Sequence, residues 1–491
     1  MQIEFSQSRP EAVRILAQTT TKGQLPEGLE RAMEEGAKAA RFKGSAGQLF
    51  DGFVERDGAV QRLVLVGTGA ADAEGRAANC EKAGAAISGK YQSAGEETIA
   101  LDATGLAAED LAHVLLGLRL RNWRYDIYRT KMKDEHKVTL KRVVVLNAPE
   151  GAEDAWGEAA HLAEGIEFTR ELVTEPANII YPETFVERCQ QRFEGSGAEL
   201  IVLDEAKMEE LRMGALLGVG QGSATPPRLV RLDYTPRKAN RKTPTVVLVG
   251  KGITFDTGGL SIKPAEGMTT MKRDMTGAAV VLSVMAALEA VGCPVKVVGL
   301  LACAENAVSG SSMRPGDVLR HYGGRTTEVT NTDAEGRLVM ADALAYAVAE
   351  LAPAALVDVA TLTGAIKVAL GQRTGGFFAD HEGLAGAIAG AGTRAGEPLW
   401  RFPLASVYEE KISSTVADAD NAGGGPGAIT AALFLQHFTG DVPWAHLDVA
   451  SVGDSPSESF EWTAGPTGFG ARALLTWLGS PEPLAGIGTE P

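Results

Sequence analysis

The chain has 491 residues and a formal net charge of −16, with 45% hydrophobic and 22% charged residues. This balance is that of an ordinary soluble globular protein with a large core, long enough for two or three domains at roughly 150 residues each. The negative charge disfavours nucleic acid and anionic membranes as partners. The sequence has no window near the roughly 18 apolar residues of a membrane span and no apolar signal-peptide stretch. We therefore expect a cytoplasmic enzyme without membrane association.

The four cysteines, Cys80, Cys189, Cys293 and Cys303, show no CxxC spacing. That arrangement indicates neither a disulfide framework nor a zinc ribbon. We expect each cysteine to be a small core residue in a reducing compartment.

Residues 1–150 mix strand-like and helix-like runs, which predicts a small N-terminal α/β domain. Residues 62–69 (RLVLVGTG) predict a buried strand that ends in a glycine turn, residues 108–123 have helical spacing, and residues 136–149 predict two short strands. Gly67 and Gly69 form half of a dinucleotide-binding fingerprint. Since no third glycine follows at the right spacing, a tight turn is the better interpretation.

Residues 119–142 contain nine Lys or Arg and three Asp or Glu. The favoured interpretation of this basic stretch is a solvated face of the small domain. A basic contact surface for a partner remains an alternative.

An acidic helical stretch at residues 151–175 is predicted to link the first domain to a single large domain at residues 176–491. This large domain alternates strands with helices, which indicates a mostly parallel sheet flanked by helices. The predicted strands are residues 245–250, 295–306, 326–336 and 355–365, and the helices between them include residues 275–291 and 338–350. Ligands of such sheets bind beyond the carboxyl ends of the strands. The polar motifs follow the strands, so we expect them to converge on one crevice.

Acidic residues in these motifs have two interpretations. Thr332 and Glu335 have the spacing of a helix capping box, Asp333 would be favourable near a helix start, and Asp274 could cap the following helix. If these acids instead face one another and Asp256 in the crevice, their repulsion requires compensating positive charge. Divalent cations would supply that charge, and oxygen ligands suit magnesium, manganese or zinc. None of the seven histidines lies in these motifs, so a histidine-based zinc site is not expected.

Three motifs together resemble the leucyl (cytosol) aminopeptidase family of two-metal peptidases. They are KGITFDTGGLSIKP at 251–264, MKRDMTGAA at 271–279 and NTDAEGRL at 331–338, the last being the signature of that family. Softer similarity extends over 171–185, 218–234 and 446–450. The resemblance covers essentially the whole large domain and is weaker over residues 1–150.

The resemblance implies a role for each matching residue. Five would bind two divalent ions, Mn²⁺ or Zn²⁺: Lys251, Asp256, Asp274, Asp333 and Glu335. Asp256 and Glu335 would bridge the ions, and the lysine ligand would have to bind as the neutral amine. Lys263 would stabilise charge on the scissile carbonyl oxygen, and Arg337 would hold a bicarbonate that acts as general base on a metal-activated water.

The same resemblance implies the substrate and the assembly. The pocket for the N-terminal side chain would be lined by Met271, Thr361, Gly364 and Ala450, and would favour leucine or methionine. The expected activity is removal of unblocked N-terminal residues from peptides by a homohexamer. A dipeptidase with a narrow preference, for example for cysteinylglycine, is an alternative enzyme. A DNA-binding role, known for some relatives, is disfavoured by the net charge.

Overall fold

The computed structural model describes residues 1–56, 58–196 and 198–488. Its contacts divide the chain into two compact units. Unit 1 contains Met1–Glu167 and Ser455–Gly465, and unit 2 contains Phe168–Asp454 and the residues from Pro466 onward. The predicted domain limits at residues 150 and 176 stay a prediction, and the sequence did not indicate that residues 455–465 group with unit 1.

Unit 1 has a sheet with helices on both faces. Its strands are β1 (Gln2–Ser6), β2 (Ile15–Thr20), β3 (Leu49–Arg56), β4 (Ala59–Gly67), β5 (Thr98–Asp102) and β6 (Arg142–Leu146). Its helices are α1 (Arg31–Ala39), α2 (Arg76–Tyr91), α3 (Ala108–Asn122) and α4 (Ala152–Thr174), the last of which continues into unit 2. The sheet order is β1-β6-β5-β2-β4-β3, with β3 antiparallel to β4 and the other pairs parallel.

Alternation along the strands of unit 1 separates two hydrophobic clusters. Val64 of β4 packs in the cluster that contains α2 and α3, whereas its neighbour Leu65 packs in the cluster that contains α1. Successive side chains of a strand point to opposite faces, so these clusters lie on opposite faces of the sheet.

The predicted strand at 62–69 and the predicted helix at 108–123 are confirmed as β4 and α3. The first of the two strands predicted within 136–149 is wrong, since only β6 forms there. The backbone N–H groups of Thr139 and Leu140 instead donate to the carbonyl of Gln92, just after α2, at 2.7 and 3.1 Å.

Unit 2 is built on a larger mixed sheet. The strands that follow β6 are β7 (Glu199–Leu203), β8 (Arg228–Tyr234), β9 (Thr245–Asp256), β10 (Lys296–Asn306), β11 (Val318–Arg320), β12 (Thr326–Glu328), β13 (Ala355–Ala360), β14 (Gly375–Ala379), β15 (Leu399–Arg401), β16 (Ala419–Asp420), β17 (Trp444–Asp448), β18 (Asp454–Ser455) and β19 (Gly465–Pro466). The helices that follow α4 are α5 (Pro182–Phe193), α6 (Glu205–Glu210), α7 (Gly214–Gly220), α8 (Ala265–Met268), α9 (Thr276–Ala287), α10 (Glu335–Leu351), α11 (Gly364–Leu370), α12 (Glu382–Arg394), α13 (Gly427–Gln436) and α14 (Ala471–Leu478). Short 3₁₀ helices occur at Asp134–His136, Met271–Arg273 and Ser406–Ile412.

The main sheet of unit 2 has the order β15-β14-β17-β13-β9-β10-β8-β7. Its central strands β17, β13, β9 and β10 run parallel, and β14 and β8 flank them in the antiparallel direction. Val247 and Val249 of β9 pack with α10 and α13. Helix α9 approaches the same strand at Gly250, where a Cβ would lie 2.5 Å from Ala278 Cα. The expected α/β class with a mostly parallel central sheet is confirmed.

Three strand predictions in unit 2 need correction. Of the strand predicted at 355–365, only β13 forms and ends at Ala360, and helix α11 begins at Gly364. Strand β9 continues beyond residue 250 to Asp256, so Lys251 lies within the strand and not after it. Of the strand predicted at 326–336, only β12 forms, in a separate small sheet with β11 and β16. The residues after β12 form a loop because the Asn421 side chain, and not a neighbouring strand, accepts hydrogen bonds from the backbone of Thr330 and Asn331 at 2.9 and 3.2 Å.

All four cysteines are buried and free, as expected of core residues. Across the residues that the structure describes, no helix combines the length and apolar character needed to cross a membrane.

Candidate active site

A cavity of about 440 Å³ lies in unit 2 at the carboxyl ends of the central parallel strands. It brings together most of the residues that the sequence singled out. The predicted residues that line it are Lys251, Asp256, Lys263, Met271, Asp274, Asp333, Glu335, Thr361, Gly364 and Ala450. Arg337 is not among the lining residues.

Lys251 contacts two of the predicted acids. Its Nζ lies 2.8 Å from Asp274 Oδ2 and 3.0 Å from Glu335 Oε1, and it donates to the Thr361 carbonyl at 3.2 Å. Burial alone would lower the pKa of Lys251, but the neighbouring carboxylates, including Asp256, raise it above the ordinary value. The ammonium form therefore prevails while these carboxylates are its neighbours.

Lys263 contacts the other two acids. Its Nζ lies 2.8 Å from Asp256 Oδ2 and 2.5 Å from Asp333 Oδ1. Burial opposes the charge of Lys263, but the same two carboxylates raise its pKa. Each lysine thus joins a different pair of acids.

The two lysines do not fully compensate the four acids. Burial and repulsion from Asp256 raise the pKa of Glu335 to about 8, and burial raises the pKa of Asp274 to about 6 against the attraction of Lys251. Within the described residues, Glu335 Oε2 has no hydrogen-bond partner. Asp274 Oδ2 and Asp333 Oδ1 lie within ion-pair distance of a lysine but outside hydrogen-bond geometry. Positive charge is therefore in deficit at the cluster.

This donor set fits divalent cations. Asp256, Asp333 and Glu335 each offer a carboxylate oxygen, and these oxygens lie within 4.8 Å of one another. Clustered carboxylate oxygens are ligands for hard or borderline divalent ions. Cations at this position would meet both the charge deficit and the unsatisfied oxygens.

Neither candidate capping residue caps its helix. The N-cap of α10 is Ala334 and that of α9 is Met275, and neither position has a side-chain cap. Thr332 Oγ1 instead donates to the Gly258 carbonyl at 2.6 Å, and Asp274 Oδ1 accepts from Lys251 at 2.9 Å. The capping interpretation of these residues is wrong, because Thr332 bonds to the loop at Gly258 and Asp274 bonds to Lys251 of β9, and neither side chain caps a helix start.

Arg337 lies buried on α10, with 7% of its surface exposed. Its Nη1 makes only a long contact of 3.4 Å to the Ala422 carbonyl, and its Nε has no hydrogen-bond partner among the described residues. Burial lowers the pKa of Arg337 to about 10. A buried guanidinium with a free donor could accept an anion, although Arg337 does not line the cavity that holds the acids.

The pocket is positioned by a residue that sequence reasoning missed. Asp448, at the end of β17, accepts hydrogen bonds from the backbone N–H groups of Leu362, Thr363 and Ala450 at 3.1, 3.1 and 3.2 Å. One buried carboxylate therefore holds the segments that carry Thr361, Gly364 and Ala450, whereas Met271 lies on the separate 3₁₀ helix Met271–Arg273. The only sequence feature that could have indicated Asp448 is its place at the end of a strand in HLDVA (residues 446–450). In the sequence, that segment indicated only similarity to the family.

Charged residues at the pocket also went unnoticed. Arg273, Lys367 and Asp454 line the same cavity, and Arg273 forms an ion pair with Asp454. The pocket predicted to favour leucine or methionine therefore shares its cavity with charged side chains that were not predicted.

The basic stretch of unit 1 is largely neutralised by acids distant in sequence. Arg119 pairs with Glu167, Arg121 and Arg124 pair with Glu458, Lys141 pairs with Glu97, and Arg142 pairs with Glu4. These pairs favour the interpretation as a solvated face over that of a nucleic-acid contact.

Comparisons with known proteins identify the family of this chain. The family model described as cytosol aminopeptidase family, catalytic domain, matches residues 167–475, and that of the N-terminal domain of the family matches residues 14–132. A probable cytosol aminopeptidase of Caulobacter vibrioides is 43% identical over 447 residues, covering 90% of each chain. One from Sinorhizobium fredii is 42% identical over 460 residues, covering 91% of this chain and 90% of the relative.

Solved structures show the same architecture. The bottromycin maturation enzyme BotP in complex with Mn is 37% identical with a TM-score of 0.85, covering 95% of this chain and 99% of BotP. A mutant of tomato leucine aminopeptidase is 32% identical with a TM-score of 0.85, covering 97% of this chain and 96% of the tomato protein. The family models match both domains, and the relatives align over about nine-tenths of the chain. This chain therefore belongs to the cytosol aminopeptidase family.

Proposed function

We propose that this protein is a metal-dependent aminopeptidase that removes unblocked N-terminal residues, preferably leucine or another apolar residue, from peptides. The observation that carries the proposal is the cluster of four carboxylates and two lysines at the carboxyl ends of the central strands, with carboxylate oxygens left unsatisfied. Family membership and the manganese complex of BotP support the choice of metal chemistry.

We propose two divalent ions, Mn²⁺ or Zn²⁺, held by Lys251, Asp256, Asp274, Asp333 and Glu335. When bound, such ions polarise the scissile carbonyl, lower the pKa of a water and anchor the free α-amine of the substrate. Lys251 would serve as the neutral amine, so its proton has to leave when a cation enters.

Lys263 and Arg337 are the proposed catalytic residues. The ammonium of Lys263, kept charged by Asp256 and Asp333, would stabilise the negative charge that develops on the carbonyl oxygen. The guanidinium of Arg337 would hold bicarbonate through its planar donors, and that anion would accept a proton from the attacking water. The unsatisfied Nε of Arg337 supports an anion there.

For the substrate side chain we propose the pocket lined by Met271, Thr361, Gly364 and Ala450. The protein would work on peptides in the cytoplasm as a homohexamer. Sedimentation velocity should then give six times the 51.5 kDa mass of one chain.

The proposal is tested with leucine p-nitroanilide, measured with added Mn²⁺ or Zn²⁺ and again after chelation. We expect activity that is lost in chelator and restored by metal, with no turnover of N-acetyl-leucine p-nitroanilide. Asp333→Ala and Lys263→Ala should each lose at least about 100-fold in activity, and Asp72→Ala, an exposed acid of unit 1, should not. Full activity in chelator would contradict the proposal, and faster turnover of cysteinylglycine than of longer leucine peptides would favour the dipeptidase.

A further inference from the structure

Asn306 lies between Asp256, the last residue of β9, and the loop that carries Asp333. It is the last residue of β10 and is 1% exposed. A bulge shifts the register of β10 on β9 just before it, after which Asn306 pairs with Asp256. Bulges re-aim side chains at strand ends, and this one sets the amide of Asn306 beside the Asp256 carboxylate.

The amide of Asn306 bridges Asp256 and the loop that carries Asp333. Its Nδ2 donates to Asp256 Oδ1 at 2.9 Å and to the Thr332 carbonyl at 3.1 Å. Ionised carboxylates and carbonyls only accept hydrogen bonds, so the nitrogen of the amide must face them. The backbone carbonyl of Asn306 also accepts from Thr257 N and Oγ1 at 3.0 and 2.8 Å.

These bonds fix the orientation of the Asp256 carboxylate. Its Oδ1 accepts from Asn306 and from the Gly258 N–H, at 2.9 and 2.8 Å. The other oxygen, Oδ2, then faces Lys263, whose Nζ also contacts Asp333 Oδ1. One oxygen is used for anchoring and the other is presented to the acid cluster.

The second bond of Asn306 fixes the loop that carries Asp333. Thr332 immediately precedes Asp333, and its carbonyl is the acceptor. The contact is close: a Cβ at Gly259 would lie 2.8 Å from Thr332 Oγ1 and 3.0 Å from Asn306 Oδ1. Asn306 therefore ties Asp256 directly to the backbone of the Asp333 loop, in addition to the contacts of Lys263 and the bond from Thr332 Oγ1 to the Gly258 carbonyl.

We infer that Asn306 is a positioning residue that holds Asp256 and Asp333 at the spacing needed to bind divalent cations. The inference rests on the proposed function, because it assigns a role toward the proposed metal centre. Without its two N–H donors, Asp256 and the Asp333 loop would lose their direct link, and their mutual repulsion would be opposed mainly by the mobile side chain of Lys263. Groups that hydrogen-bond a metal ligand typically contribute a factor of about 10 to 100 in metal affinity.

The test measures Mn²⁺ binding directly. Wild type and the variants Asn306→Leu and Asn306→Asp are stripped of metal and titrated with Mn²⁺ by calorimetry, and their melting temperatures are recorded without metal. Leucine keeps the side-chain volume but has no N–H donors. Aspartate keeps the side-chain shape, but its carboxylate oxygens would face the Asp256 carboxylate and the Thr332 carbonyl, which are also hydrogen-bond acceptors. The matched control is Asn122→Leu, because Asn122 of unit 1 is also buried and donates its Nδ2 to a carbonyl, that of Leu140, at 3.0 Å.

We expect Mn²⁺ affinity to fall about 10- to 100-fold in both Asn306 variants, while Asn122→Leu loses thermal stability and keeps the wild-type affinity. Asn306 variants that bind Mn²⁺ as tightly as wild type, or more tightly, would overturn the inference. If Asn306→Leu does not fold, the Mn²⁺ affinity of the isosteric Asn306→Asp variant decides between these outcomes. A wild-type protein that binds no Mn²⁺ would instead overturn the proposed metal centre itself, so the two failures are distinguishable.

Discussion

Lys263 is held at the edge of the acid cluster by two carboxylates at once. Its Nζ lies 2.8 Å from Asp256 Oδ2 and 2.5 Å from Asp333 Oδ1. These carboxylates raise its pKa against the effect of burial, so the side chain keeps its charge at neutral pH. A fixed positive charge beside the reacting carbonyl acts mainly where negative charge develops, in the transition state.

Replacing Lys263 by glutamine should therefore lower kcat more than it raises KM. We expect a loss of about 100- to 1000-fold in kcat on leucine p-nitroanilide at saturating Mn²⁺. Lys238→Gln, at an exposed lysine, is the control and should retain wild-type kinetics. A Lys263→Gln enzyme with wild-type kcat would show that this ammonium has no part in the reaction.

Gly453 leaves space beside the proposed side-chain pocket. A Cβ at this position would lie 3.5 Å from Thr276 Cγ2 and 3.6 Å from Thr361 Cγ2. Any side chain here would begin against the pocket residue Thr361, since both positions line the same cavity.

Gly453→Leu should therefore discriminate by substrate size. We expect kcat/KM to fall about 10- to 200-fold on leucine p-nitroanilide, and less on alanine p-nitroanilide, whose side chain needs little room. Equal losses on the two substrates would place the substrate side chain elsewhere, and would point to a general disturbance from the 3.1 Å approach of the new Cβ to the Val449 carbonyl.

Strands β13 and β17 are joined by a buried pair of charged side chains in addition to their backbone hydrogen bonds. Asp358 and His446 are partners in the register, and His446 Nδ1 lies 2.5 Å from Asp358 Oδ1, with both side chains fully buried. Trp444 Nε1 donates to the other oxygen of Asp358 at 2.7 Å. Burial alone would lower the pKa of His446, but Asp358 raises it above the ordinary value.

The direction of this shift fixes the pH dependence. A histidine whose pKa is higher in the folded state stabilises the fold fully below its unfolded pKa, and this contribution is lost as the pH rises through the folded value. We expect His446→Gln to cost about 3–5 kcal/mol below pH 6.5, where it removes a charged partner from a buried carboxylate. The cost should shrink at higher pH, where wild type also lacks the charge. Denaturant unfolding of both proteins from pH 6 to pH 9 checks this, and a constant difference would contradict it.

Local sequence patterns predicted helices and apolar strands well because their signals lie within the elements themselves. They failed for the predicted strand at 326–336, whose loop is held by Asn421, about ninety residues further along the chain. They also left Thr332 ambiguous, since capping-box spacing is a local pattern while its actual partner, Gly258, is remote. The sequence singled out the acids that line the cavity because three motifs coincided. Asn306 and Asp448 were missed because a single polar residue at a strand end carries no pattern.

The whole chain comprises two units with separate cores, and each is matched by its own family model. The basic stretch at 119–142 illustrates what composition leaves open at this level. Its excess of positive charge is evident in the sequence. The acids that pair with it are distant in sequence, so only the folded structure identifies them as Glu167, Glu97 and Glu458. A charge run alone therefore did not indicate a partner.

The proposed metal centre should stabilise the molecule unevenly, because all of its candidate ligands belong to unit 2. A ligand that binds only the folded state contributes about 2.7 kcal/mol at a concentration one hundred times its Kd. We expect added Mn²⁺ to slow amide hydrogen exchange in peptides that cover 251–263 and 330–337, while peptides from β4 and α3 of unit 1 exchange as before. Removing the metal with a chelator should restore the faster exchange, and Asp333→Ala should abolish the difference. Equal slowing in both units would show that Mn²⁺ acts on the whole protein without a specific site. Since Lys251 and Asp256 lie in the second half of β9, the slowing should be greatest near these ligands and should decline along β9 toward Thr245.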